Sequence, residues 1–307
     1  MGRIASILLL LYPAVASAKP RPEDLAFMRV ALPATGQTRV ESRVIYLNPG
    51  GVVLKPGDND ARTGTSSIVT APTSISPWNV DDATWADTVA CMREIYAPFD
   101  VTITDEDPGD VPHIEAVFGG APGDVGLPDN VAGVSPFTTD CAVIDNSIVF
   151  AFTDVLPDDA RSVCEVMAQE VAHSFGLDHE LLPSDPMTYL SYAGERTFQD
   201  EMASCGEYGG RMCGIDGSVC RTRQNSYRLL LETLGPSSAN PAGRDDPGDV
   251  TDDPLRSGVT SGCSASGGGI GIWLVLLVGH VVSRRRSRGR RHRSLLQRSS
   301  CDREGGS

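Results

Sequence analysis

The chain is short of positive charge. It carries 26 Lys or Arg against 40 Asp or Glu, and nine of the basic residues lie beyond residue 282. Residues 19–282 are left with 16 basic and 38 acidic side chains, a net charge of about −22, which excludes a nucleic-acid binder. There is no internal repeat, so a repeat array is excluded as well. No C-x-x-C pair occurs among Cys91, Cys141, Cys164, Cys205, Cys213 and Cys220. That weighs against a cysteine-based zinc site in the 205–220 cluster and favours three disulfides, with 15 pairings open.

The ends read as addresses. Residues 1–18 (MGRIASILLLLYPAVASA) combine a basic start, an apolar run too short for a membrane span and an Ala-x-Ala ending, the grammar of a secretory signal peptide. Residues 236–262 hold almost no large apolar side chains and are expected to be a disordered linker. Then follow Gly262-Cys263, the apolar run 270–282 and arginines from Arg284, which place the far end of that run in the cytoplasm. Residues 294–307 remain as a tail.

Between them, a 19–40 extension precedes residues 41–235, enough for one domain with a real core. Residues 43–54 alternate around a Pro-Gly-Gly turn as strand or hairpin, and 81–96 have helical apolar spacing. FDVTIT (99–104), HIEAVFGG (113–120) and IDNSIVFAF (144–152) read as strands, with a long loop over 119–140. Asp158 offers an N-cap for a helix over 159–175, Gly176 ends it, and a last helix lies near 224–234. The expected class is α+β, a mixed α/β sheet with a helix carrying the site and a loop-rich, disulfide-containing C-terminal part.

That helix carries the chemistry. Residues 169–179 read QEVAHSFGLDH. The pattern H-E-x-x-H puts two imidazoles four residues apart on one helical face with a glutamate beside them as base. Here Glu170, His173, Gly176 and His179 fit its longer form H-E-x-x-H-x-x-G-x-x-H, while Gln169 replaces the first histidine. Residues 169 and 173 share a face, Glu170 stands about 100° round, and Gly176 lets His179 return to the same ion. Three ligands and an open position make a catalytic zinc site, with the glutamate as base toward a water attacking a peptide carbonyl.

Downstream, Asp185-Pro186-Met187-Thr188-Tyr189 resembles the Met-turn of the metzincin peptidases. The resemblance spans most of residues 44–190, since the strands before the zinc helix also look alike. It implies a metzincin-like twisted sheet, metal ligands His173, His179 and Gln169, Glu170 as base, and Met187 as floor. Tyr189 holds the position from which a tyrosine ligates the metal or stabilises an oxyanion in the astacin-like and serralysin-like branches. The tail 262–293 resembles the MYXO-CTERM sorting signal, implying processing near Cys263 and delivery to the cell surface or outer membrane, with membrane association through the 270–282 helix. A plain C-terminal membrane anchor is the alternative.

Gln169 leaves three outcomes open. It ligates through its amide oxygen, a donor better suited to harder ions; another residue such as His113 completes the site; or metal binding serves no catalysis and the chain is an inactive binding protein. Gln169 turned into solvent would favour the last. The leading expectation is an exported zinc endopeptidase acting on protein or peptide, bound extended along an edge strand, with IDNSIVFAF as the candidate edge. Structural calcium at the acidic loops 58–60 or 105–107 is a further option. No cysteine lies in 19–40, so a cysteine-to-zinc latch from that segment is excluded.

Overall fold

Asp81 accepts hydrogen bonds from the Ala83 and Thr84 amides and so starts helix α1 (Asp82–Tyr96); Asp159 does the same for the Ser162 amide ahead of α2 (Ala160–Ser174). The computed structural model describes residues 19–21 and 24–238. The signal-peptide segment, most of the linker, the sorting segment and its apolar run lie outside the described residues. Among those described, no helix is long and apolar enough to cross a membrane.

Strands β1 (Ala26–Leu32), β2 (Val44–Asn48), β6 (Thr102–Thr104), β7 (His113–Phe118), β8 (Val131–Thr138) and β9 (Ile148–Ala151) form one mixed sheet in the order β1-β8-β9-β7-β2-β6. From β9 to β6 neighbours are parallel; β8 runs antiparallel to β9, and β1 lies parallel to β8. A second sheet joins β3 (Val52–Pro56) to β4 (Thr65–Ser66) and β5 (Thr73–Ile75).

The pleat sorts the core into two layers. Ile114, Ala116 and Phe118 of β7 and Val149 and Ala151 of β9 pack with Met92, Ile95, Met167 and Val171 of the two helices. Val117, Ile148 and Phe150 point the other way and meet Leu54, Ile68 and Ile75. With both faces covered, β7, β8 and β9 are buried along their whole length. The Cys91–Cys164 disulfide ties α1 to α2, and α3 (Ser226–Leu234) adds Leu230 and Leu234 to the first layer. The class is α+β.

Several expectations need correction. Residues 43–54 form no hairpin: β2 joins the large sheet and β3 the small one. The presumed loop 119–140 contains β8, fully buried despite Gly133 and Pro136. IDNSIVFAF supplies β9, an interior strand between β8 and β7, so it cannot serve as the edge for a substrate. HIEAVFGG is likewise interior. Asp159, not Asp158, caps α2. The 19–40 extension is part of the fold, since β1 takes the outer edge of β8 and Leu25 and Val40 enter the core.

Candidate metal centre

The last turn of α2 presents Gln169, Glu170 and His173, all buried. The helix ends because Gly176 adopts φ 83°, where a side chain would strike the Cys141 carbonyl. The chain then doubles back, and His179 Nε2 comes to 3.0 Å from His173 Nε2.

The other ring nitrogens define what that contact is. His173 Nδ1 lies 2.6 Å from the Leu177 carbonyl oxygen, which can only accept, and His179 Nδ1 lies 3.0 Å from Glu207 Oε1. Each Nδ1 therefore carries the ring proton, and each Nε2 offers a bare lone pair. Burial first, then neighbouring positive charge including Arg29, holds both rings neutral, His173 far below its ordinary value and His179 at about 4. Two lone pairs thus face one another with no proton to share. Such a pair could hold a cation between them.

Two further side chains of α2 hold buried polar atoms without a partner. Both Glu170 carboxylate oxygens and Gln169 Nε2 are buried without a hydrogen bond. Burial pushes the Glu170 carboxyl well above the usual range. Its bed is the backbone of β8: a Cβ on Gly133 would lie 2.5 Å from Glu170 Oε1. Gln169 is not turned into solvent. It lines a cavity of about 560 Å³ with Phe27, Val166, Thr188, Tyr189 and Tyr208, and a half-turn of its amide exchanges nitrogen for oxygen there.

Asp185 shapes the turn that follows, accepting the Met187 amide at 2.9 Å and the Gln199 amide at 2.8 Å. Met187 is fully buried, and its carbonyl accepts the Glu180 amide at 2.7 Å, one residue beyond His179. Tyr189 packs its ring on His179 at 4.9 Å between centroids. Its hydroxyl is spent on β1, accepting the Phe27 amide at 2.7 Å and donating to the Phe27 carbonyl.

Sequence reasoning missed the charged surround. Asp178 is fully buried and accepts Arg29, both Arg211 amino groups, and the amides of His179 and Gly214. Glu207 joins Arg211 at 2.8 Å. Asp178 sits beside a metal-ligand candidate and Glu207 lies between two cysteines; those were the available signals. His113 lies elsewhere, its Nδ1 on the Val111 carbonyl and its ring near Tyr46, so it does not complete the pair.

The cysteine-zinc alternative fails, because the described cysteines form Cys91–Cys164, Cys141–Cys220 and Cys205–Cys213. The acidic loops hold no cluster of three ligating side chains among the described residues; Asp60 instead caps a short 3-10 turn and pairs with Arg62. No protein-family model matches the chain, and no curated protein is significantly similar to it in sequence.

Proposed function

We propose that the protein is a zinc-dependent endopeptidase of metzincin type, exported and sorted to the cell surface. The observation that carries the reading is the pair of Nε2 lone pairs converging at 3.0 Å with both Nδ1 atoms committed elsewhere. His173 and His179 would hold the ion, with Gln169 as third donor through its amide oxygen. When bound, zinc supplies Lewis acidity, making water a usable nucleophile near neutral pH and polarising the scissile carbonyl. Once the ion lowers its raised affinity for a proton, Glu170 would act as base toward the attacking water and return the proton to the departing amine. Its freedom from hydrogen bonds keeps it available. By the metzincin resemblance buried Met187 would form the floor of the centre, and the 560 Å³ cavity beside Gln169 would accept a substrate side chain. Three disulfides support an oxidising, extracytoplasmic destination.

One observation favours a second reading, an inactive surface-binding protein. The outer edge of β8 is occupied by β1, and Tyr189 is engaged by Phe27. A peptide can reach that edge, and Tyr189 can face an oxyanion, only after β1 moves.

Production of the chain in an oxidising host, metal analysis and a casein-cleavage assay separate the two. The enzyme reading expects one zinc per chain, chelator-sensitive cleavage and none with Glu170→Ala. Cleavage that survives the chelator or Glu170→Ala refutes the mechanism; zinc-poor, inert protein supports the second reading.

A further inference from the structure

We propose that Glu207 is a positioning residue of the metal centre, its carboxylate delivered to His179 Nδ1 by the Cys205–Cys213 cystine loop so that the ring's Nε2 is held toward the ion. The inference rests on the reading of His173 and His179 as metal ligands.

The loop grips His179 twice. The Gly206 amide donates to the His179 carbonyl at 3.0 Å, and Glu207 Oε1 meets the ring at 3.0 Å. The closing disulfide spans only eight residues, and both its cysteines are buried. Within the loop the Arg211 amide bonds the Cys205 carbonyl at 2.7 Å, tightening the turn that carries Glu207.

Arg211 then fixes the carboxylate. Its Nη2 lies 2.8 Å from Glu207 Oε1 and its Nη1 2.6 Å from Asp178 Oδ2, while Asp178 Oδ1 accepts the His179 amide at 2.6 Å. Backbone and ring of His179 are thereby registered to one ion-pair network. Asp178, His179 and Glu207 lie close enough to suggest a cation site of their own. The guanidinium groups of Arg29 and Arg211 already fill it.

A carboxylate on the far nitrogen of a ligating histidine fixes its tautomer and strengthens it as a donor, and loss of such a partner weakens metal binding by about 10–100-fold. The test uses the full chain with Glu207→Ala and Glu207→Gln. Zinc affinity is measured by competition with a chromophoric chelator, and the His179 tautomer by long-range proton–nitrogen correlation on metal-free protein. We expect wild type to bind most tightly, the glutamine variant, which keeps an oxygen acceptor, to be intermediate, and the alanine variant to be about 10–100-fold weaker. His179 should hold its proton on Nδ1 in wild type and redistribute it in Glu207→Ala. An unchanged tautomer, or zinc affinity within about twofold of wild type, overturns the proposal. If wild type takes up no zinc, the reading of the centre fails, and the tautomer comparison alone decides the role of Glu207. Should the alanine variant not fold, Glu207→Gln decides by zinc affinity alone, and affinity equal to wild type overturns the proposal.

Discussion

Replacing Gly133 by alanine adds one methyl group to β8, and the three atoms nearest that methyl all belong to Glu170. The new Cβ would lie 2.5 Å from Oε1, 2.8 Å from Cγ and 2.9 Å from Cδ of Glu170. Ordinary contact begins near 3.4 Å, so the carboxylate must withdraw by about 1 Å or the strand must yield. Gly133 is not among the glycines with positive φ, so alanine brings no backbone strain and the whole effect is space. Overpacking of this size costs a fold about 1–3 kcal/mol. A displacement of about 1 Å in a reacting group costs catalysis about 100-fold, or about 2.7 kcal/mol of barrier. None of the three atoms nearest the methyl belongs to a proposed metal ligand, so zinc content should be unchanged. We therefore expect Gly133→Ala to fold with a modestly lowered urea midpoint, to keep its zinc, and to lose about 100-fold in kcat/KM toward a fluorogenic peptide. A zinc-loaded Gly133→Ala protein that cleaves as fast as wild type would refute the role given to Glu170.

Gln169→His restores an imidazole donor and should tighten zinc binding in a chelator competition; equal affinity would show that residue 169 does not face the ion. Glu115, buried on β7 with Asn48 as its hydrogen-bond partner, has its carboxyl pushed up by burial to about 7. The folded state therefore holds its proton more tightly than the unfolded chain, and stability should fall by about 3 kcal/mol as pH rises from about 4.5 to 7. Glu115→Gln should flatten that part of the urea-midpoint profile, and an unaltered slope would refute the assignment. Tyr189→Phe removes the hydroxyl that satisfies both backbone groups of Phe27, at about 1 kcal/mol per hydrogen bond. Faster hydrogen exchange at the Phe27 amide is expected, and protection equal to wild type would mean that Tyr189 does not anchor β1.

What could be read from sequence was local. The spacing of Gln169, Glu170 and His173 on α2, the glycine stop and the Met187 turn all fall within twenty-one residues, where helix period and chain reversal dictate geometry. The helix over 81–96 was legible for the same reason, through its apolar spacing, while its Asp81 cap emerged only in the structure. Strand β8 was obscured because VAGVSPFT contains a glycine and a proline and is buried on both faces, leaving no alternation to detect. Its neighbour β9 has four residues, too few to signal whether it sits at the centre or the edge. The charged surround was illegible because its members meet across long separations: Arg29 reaches Asp178 from 149 residues away, and Arg211 does so from 33. Periodicity does not report on such pairings, nor did it show that the 19–40 segment contributes a strand.

Strand β1 sets an order of events. It is among the first described segments to be synthesised, yet its partner β8 lies more than a hundred residues later, and the tyrosine that clasps Phe27 comes later still. Arg29 waits longer, until the 205–213 loop has closed on Glu207. Closure over such distances is slow, so the earliest-made strand is among the last to be seated. The surroundings that β1 gives the site, Phe27 against Tyr189 and Arg29 against Asp178, therefore rest on contacts between residues 162 and 149 apart in sequence.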